Sequence, residues 1–267
     1  MSGVKDVLSA EKITKNLSAD LKNIIKPVVL EKTTSTNDTA KKYALEGGGE
    51  GYFVVAGTQT DGRGRMGRNF FSPEDTGVYM SLLLRPEIEP SDAVSITTAA
   101  AVAVCEALEK IGDVKAEIKW VNDVFVNGKK VCGILTEAGF SADKNILDYA
   151  VLGVGVNMYA PENGFPEEIK ETAGAVFPER CENLRNMFVS CFLNLFMNYY
   201  NNICEKTHST AYAERCFVLG KNIDVIRGGE TKRAKALALD ENCGLSVRFE
   251  DGTEAVLNSG EISVRTV

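Results

Sequence analysis

At Phe217 the hydropathy of this 267-residue chain changes period, and that change divides any fold it can adopt. Downstream lie short alternating runs, residues 222–227, 231–239, 245–249, 254–257 and 262–265, separated by Gly228-Gly229, Glu241-Asn242 and Asp251-Gly252. Such dipeptides supply the positive φ that tight hairpins need, so this end is expected to be a small β-barrel. Upstream the pattern is mixed. A helix is expected over 92–111, capped by Ser91 or Asp92 and stopped at Gly112. A second is expected over 180–205, with Leu184, Phe188, Cys191, Leu195 and Tyr199 in one core-facing stripe. Strands are expected at 28–30, 52–57 and 78–84, in two runs within 117–126, and at 151–157. Three units follow: a polar segment 1–27 with only Val7, Leu8, Ile13, Leu17 and Leu21 in weak amphipathic array, an α+β domain 28–216, and the barrel 217–267.

The segment Gln59-Thr-Asp-Gly-Arg-Gly-Arg-Met-Gly-Arg68 is built to hold an anion. Glycine lets backbone N–H groups approach a ligand, and each guanidinium offers a planar fork of donors. The dinucleotide fingerprint hidden in Gly62-x-Gly64-x-x-Gly67 fails on context, because residues 69–77 are turn-rich and lead to a strand, not a helix. No Lys-Ser or Lys-Thr closes the run, so it is not a P-loop either. Self-repulsion and backbone entropy imply a loop that orders when an anion arrives.

Three further segments accompany it. Thr34-Ser-Thr-Asn-Asp-Thr39 precedes a helix bearing Ala40, Tyr43 and Ala44, and a helix cap alone would explain its side chains. Glu117-Ile-Lys-Trp-Val-Asn-Asp-Val-Phe-Val126 sets a lysine among apolar residues, where it must find an anion. Val151-Leu-Gly-Val-Gly-Val-Asn157 is a buried-looking strand whose glycines permit close approach to the backbone.

Composition narrows the classes. A net charge of −7 opposes nucleic acid as the principal partner. No stretch reads as long enough to span a membrane, and no signal-peptide core is visible. Seven scattered cysteines without a Cys-x-x-Cys pair suggest reduced thiols, hence a cytoplasmic protein. The single histidine, His208, reads as a surface or capping residue, and its solitude argues against multi-histidine zinc sites and a Ser-His-acid triad.

In this order the segments resemble the biotin protein ligases. The resemblance runs from about Val28 to the C-terminus. It rests on Ser35-Thr-Asn37, Gln59 with Gly62-Arg-Gly-Arg-x-Gly-Arg68, Phe71-Ser-Pro73, Lys119-Trp-x-Asn-Asp123, Gly133-Ile-Leu135, Gly153-x-Gly-x-Asn157 and Ser259-Gly-Glu-Ile-Ser263. Met66 stands where the family commonly has arginine and Val121 where it commonly has proline, which lowers charge at the loop and removes a rigid turn. The resemblance implies a mixed-sheet catalytic domain of the biotin/lipoate ligase type followed by an SH3-like barrel, without the winged helix-turn-helix domain that some relatives carry. It implies ATP-dependent formation of biotinyl-5′-adenylate and transfer to a lysine of the biotin carboxyl carrier domain of a carboxylase, with Mg²⁺ on the phosphates and no membrane partner. Whether such a protein is a monomer or a homodimer stays open. By the same resemblance Ser35, Thr36, Asn37 and Gln59 bind the ureido ring, and Gly133 walls the apolar part of biotin. Arg63, Gly64 and Arg65 close over the carboxylate and phosphate, with Lys119 bridging both, so Lys119, Arg63 and Arg65 are the catalytic candidates. Arg65, Arg68 and Asn122 hold ATP, Phe70 or Phe71 stacks on adenine, Asn157 reads its edge, and Asp123 or Asn122 orients the metal. The alternatives are a lipoate or octanoate ligase, an acyltransferase using Cys132, a biotin-responsive regulator, and a catalytically idle biotin-binding module.

Overall fold

The computed structural model describes residues 5–141, 145–258 and 262–266. Strands β1 (Lys26–Thr33), β2 (Tyr52–Gln59), β3 (Gly77–Leu84), β4 (Ala116–Lys119), β5 (Asp123–Val126), β6 (Lys129–Ser141) and β7 (Ile146–Asn157) form one mixed sheet in the order β1-β2-β3-β7-β6-β5-β4. Only β1 and β2 run parallel; the other neighbours are antiparallel. Alternation sorts the side chains between two faces. Val54, Leu83 and Val151 pack with Ala40 and Ala44 of helix α3 (Thr36–Leu45). Their neighbours Phe53, Val55, Leu82, Leu84 and Leu152 join the larger core beneath α4 (Ala93–Ile111) and α5 (Leu184–Asn201). Every residue of β3 is buried, as a strand covered on both faces requires.

Helix α4 needs one correction to the sequence reading. By length and hydropathy Pro90–Ile111 is apolar enough to cross a bilayer, but it is buried as the central core helix, with its alanines at 0% exposure from Ala99 to Ala103. Gly112 closes it in extended conformation (φ −149°), donating its N–H to Leu108. Helix α5 starts at Leu184 because Asn183 is left-handed (φ 65°). Its buried row is Phe188, Phe192, Phe196 and Tyr200, four residues apart, with successive ring centroids 6.3, 5.7 and 5.9 Å apart. Two short N-terminal helices, α1 (Ala10–Lys15) and α2 (Ala19–Ile24), bury Ile13 and Leu21 in the same core, so the weak apolar pattern at this end is a packing face.

The C-terminal strands β8 (Asn222–Arg227), β9 (Glu230–Leu239), β10 (Leu245–Phe249), β11 (Glu254–Leu257) and β12 (Ile262–Thr266) make a separate antiparallel sheet, order β11-β10-β9-β8-β12. Gly228 (φ 56°) and Gly229 (φ 85°) form the tight turn expected of them. Ser259, Gly260 and Glu261 of the last motif lie outside the described residues. This sheet meets the large one behind Lys119. Trp120 donates its indole N–H to the Cys243 carbonyl (2.8 Å), and Tyr212 of α6 (Ser209–Arg215) donates to the Val121 carbonyl (3.0 Å). The intervening Trp120–Val121 peptide is cis.

His208 is neither a surface residue nor a side-chain cap. It is 1% exposed, and its Nε2 lies 2.9 Å from Thr98 Oγ1 of α4 while Nδ1 is buried without a partner. Burial, reinforced by Lys206, holds its pKa down to about 4. Against an unfolded value near 6.5, the unfolded chain takes up the proton first as pH falls. The folded state therefore keeps its full stability above pH ~6.5 and loses about 3 kcal/mol by pH ~4 from this group. Acid melting curves should show that loss in the wild type, and His208→Gln should lack it; parallel curves would contradict the assignment.

Candidate active site

The strand register builds the floor of the main cavity. Lys119 of β4 pairs with Asp123 of β5, Asp123 with Gly133 of β6, and Gly133 with Gly155 of β7, so these residues share one face of the sheet. The two glycines leave room for the Phe70 ring, whose nearest carbon would lie 2.6 Å from a Cβ placed on Gly155 and 3.1 Å from one on Gly133. At Gly153 the Asn37 amide takes the same space. The close approach expected of this glycine strand is thus made by the protein's own side chains. The cavity is about 840 Å³.

Its polar end is formed where β1 leads into α3. Ser35 occupies the N-cap position but makes no side-chain cap bond, so capping does not explain the Ser-Thr-Asn run. Thr36 N–H donates to Gln59 Oε1 (2.8 Å), Gln59 Nε2 donates to Ser72 Oγ (3.0 Å), and Ser72 donates to the Phe70 carbonyl (2.9 Å). Ser81, fully buried on β3, lies 2.8 Å from Thr36 Oγ1 and 2.6 Å from Asn37 Oδ1. A rigid array therefore ties this pocket to the arginine loop.

The loop itself is a small hairpin. Phe70 N–H donates to the Gly62 carbonyl and Gly64 N–H to the Arg68 carbonyl, both at 2.7 Å, and Met66 sits half-exposed at the tip in left-handed conformation (φ 58°). Arg63 points to the α3 side, 3.0 Å from Asp38 and 3.9 Å from Glu137. Arg65 turns inward and donates to Asn122 Oδ1 (3.0 Å). Burial pulls the pKa of its guanidinium down, and Asp123 opposes that pull. Asn122 is fixed in turn by donating to the Ile134 carbonyl (2.9 Å). Lys119 places its ammonium 6.0 Å from the centre of the Phe125 ring.

Of the residues expected from sequence, the cavity brings together Ser35, Thr36, Asn37, Gln59, Arg63, Gly64, Arg65, Arg68, Phe70, Lys119, Asn122, Asp123 and Gly133. Two others stand apart. Phe71 packs edge-on against Phe165 (6.4 Å), and Asn157 donates its amide to the Gly174 carbonyl (3.1 Å), which holds the segment after β7 in place. Neither residue lines the cavity, although their neighbours Phe70 and Gly155 do. Cys132 is fully buried on the apolar side of β6, and its thiol is pushed well above the usual range by desolvation, which removes it as an acyl acceptor. Sequence reasoning missed Ser81, though a lone serine inside the run 78–84 was a signal. It also missed Lys130, whose ammonium lies 2.7 Å from Asp123, and the 168–172 segment, which reaches the cavity through the Lys130 N–H to Thr172 carbonyl bond (2.7 Å). Those contacts arise from register and loop return, which no local pattern encodes.

For a divalent cation the protein offers little of its own. Among the described residues no group of three or more His, Cys, Asp or Glu side chains could enclose one. Asn122 Oδ1 is engaged by Arg65, and Asp123 is paired with Lys130. That pairing is made by the buried Asp123 Oδ1 itself, 2.7 Å from the Lys130 ammonium, which a cation there would have to displace. One such carboxylate suits Mg²⁺ carried in on phosphates and water, not a dedicated cage.

Comparison with known proteins agrees with this geometry. Residues 29–157 match the model of the biotin/lipoate A/B protein ligase family, and residues 218–265 that of the biotin protein ligase C terminal domain. The chain is 33% identical over 232 residues to the bifunctional ligase/repressor BirA of Bacillus subtilis, covering 85% of this chain and 70% of that one. It is 36% identical over 162 residues to the biotin--[acetyl-CoA-carboxylase] ligase of Paracoccus denitrificans, covering 57% and 66%. Among solved structures, the biotin protein ligase from Aquifex aeolicus in complex with biotin and ATP is similar at a TM-score of 0.71 and 26% identity, covering 90% of this chain and 99% of that one.

Proposed function

This chain belongs to the biotin protein ligase family, and from that membership and the cavity above we propose that it forms biotinyl-5′-adenylate and delivers the biotinyl group to a lysine of a biotin carboxyl carrier domain. Biotin ligation and the fold, a mixed-sheet catalytic domain with a small SH3-like domain, come with the family. The finer mechanism is supported by one juxtaposition: a polar pocket end built on Thr36 and Gln59 shares a cavity with Lys119, Arg65 and Arg68.

In the first step a carboxylate oxygen of biotin attacks the α-phosphorus of ATP and the bond to pyrophosphate breaks. Both reactants are anions, so the protein's task is positioning and neutralisation. Lys119 and Arg65 supply charge where carboxylate meets phosphate, Arg68 lies on the nucleotide side, and Phe70 offers a ring on the glycine floor. Arg63 must exchange Asp38 and Glu137 for the ligand, a small cost because both of its ion pairs are solvent-accessible. Mg²⁺ would neutralise pyrophosphate, with Asp123 as its protein contact. In the second step the carrier lysine's amine attacks the acyl carbon of the mixed anhydride, AMP leaves, and the amine's proton passes to solvent. A cytoplasmic site of action fits this chemistry.

Lipoate or octanoate is disfavoured because their apolar tails would leave the Thr36 hydroxyl oxygen and the second Gln59 N–H without a ligand partner, a penalty of a kind that gives large discrimination. The repressor role named for the Bacillus relative is not carried over, since a net charge of −7 opposes a duplex as principal partner. Pyrophosphate release from ATP should require biotin and be absent with lipoate or octanoate; equal turnover with lipoate would overturn the substrate assignment.

A further inference from the structure

Hydrogen-bond chemistry at the closed end of the cavity fixes which atoms carry protons. Asn37 Nδ2 lies 3.0 Å from a Glu137 carboxylate oxygen and 3.4 Å from the Leu135 carbonyl. Both are acceptors, so the amide nitrogen belongs on that side and the amide oxygen on the other. That oxygen is 2.6 Å from Ser81 Oγ and cannot donate, so the single hydroxyl proton of Ser81 goes to Asn37. Ser81 Oγ is also 2.8 Å from Thr36 Oγ1. With the serine proton committed, only Thr36 can supply a hydrogen to that contact. The other polar neighbour of the Thr36 hydroxyl, Gln59 Oε1 at 3.1 Å, is an acceptor too. Whichever oxygen receives it, the Thr36 proton stays within the protein, and Thr36 Oγ1 turns only lone pairs toward the cavity. Gln59 Nε2 gives one hydrogen to Ser72 and retains a second N–H.

We propose that Ser81, by holding the Asn37–Ser81–Thr36 chain in one direction, makes Thr36 an obligate acceptor beside the Gln59 donor and so sets the ureido specificity of this site. The inference rests on the biotin reading of the cavity. A cyclic urea carries an N–H donor next to a carbonyl acceptor, which matches an acceptor next to a donor. Ser81 is 0% exposed and is a positioning residue. Asn37 is one as well, since its oxygen and both N–H groups are engaged by the protein, in place of the direct ureido contact that the family resemblance implied.

The test is equilibrium binding, without ATP, of biotin and of the two analogues in which one or the other ureido N–H is replaced by an ether oxygen. Wild type should reject the analogue whose oxygen faces Thr36 by about 100-fold or more relative to biotin, because two acceptors then meet. Ser81→Ala removes the nearer acceptor and leaves the Thr36 hydroxyl only the longer 3.1 Å contact to Gln59 Oε1, which it gives up when it turns to donate to a ligand, and should shrink that factor about tenfold while leaving the ratio for the other analogue unchanged. Ser81→Cys keeps a similar volume with a weak donor and should relax the same ratio in the same direction. A loss of packing alone would weaken all three ligands alike. Equal binding of both analogues and biotin to the wild type overturns the acceptor assignment whether or not either variant folds. Undiminished rejection in a folded variant overturns the role of Ser81. Failure of the wild type to bind biotin at all would instead overturn the biotin reading itself.

Discussion

Lys119→Gln is expected to slow biotin-dependent pyrophosphate release by about 100-fold or more while leaving transfer from supplied biotinyl-adenylate much less affected. Lys119 ends β4 beside Asp123, on the face that carries the glycine floor. Its charge counts most when carboxylate and α-phosphate converge and phosphorus becomes five-coordinate, and removing one such donor typically costs about 3 kcal/mol or more of transition-state stabilisation. In the transfer step the developing charge lies on a carbonyl oxygen and the departing AMP, which the arginine loop still reaches. Two assays on one preparation decide it: pyrophosphate release from biotin and ATP, and labelling of a carrier domain from synthetic adenylate. Preserved biotin binding and an unchanged melting curve exclude damage to the fold. Equal fractional losses in both assays would show that the lysine serves both steps alike.

What the sequence disclosed was local. The turn pairs Gly228-Gly229 and Asp251-Gly252 and the alternation around them located the second sheet, and the apolar runs located most of the first, because each signal is contained within a few residues. The arginine loop, Lys119 and Gln59 were legible for the same reason: their residue types are costly or useless without an anion or a polar ligand. Elements fixed from a distance were not. His208 looks like a helix-start residue in sequence and is buried only because α4 brings Thr98 to it. Asn157 and Phe71 belong to motifs that border the cavity, yet the Gly174 carbonyl and Phe165 hold them away from it. Ser81 acquires its meaning from Asn37 and Thr36, more than forty positions earlier in the chain, through contacts that only the sheet creates.

Asp6 is the extreme case, and Asp6→Ala should destabilise the protein by about 3–5 kcal/mol, the cost of leaving a buried ionic partner unmatched. In sequence Asp6 belongs to a polar terminus. In the fold it is 2% exposed and faces Arg185, 1% exposed at the start of α5. Asp6 Oδ2 accepts from the Arg185 backbone N–H (3.0 Å) and from Tyr159 OH (2.7 Å), and the guanidinium donates to the Asp6 carbonyl and to that of Gly77 (3.2 Å). The same guanidinium reaches Asp75, 3.2 Å away, so one cation ties the N-terminal segment, α5 and the start of β3 together. Burial and the Asp6 charge also push the Tyr159 hydroxyl well above its ordinary pKa, so it stays a donor throughout the working pH range. Asp75 is 60% exposed and cannot replace Asp6 as a desolvated partner. For a domain of this size the loss corresponds to a fall in Tm of roughly 6–20 °C. Asp6→Ala combined with Arg185→Met removes both charges and should recover much of the loss, because an apolar pair of similar volume does not carry the desolvation penalty. Denaturant melts of the two single variants and the double variant measure that coupling. Additive losses in the cycle would show that Asp6 and Arg185 act independently and that packing, not the ion pair, anchors this end of the chain.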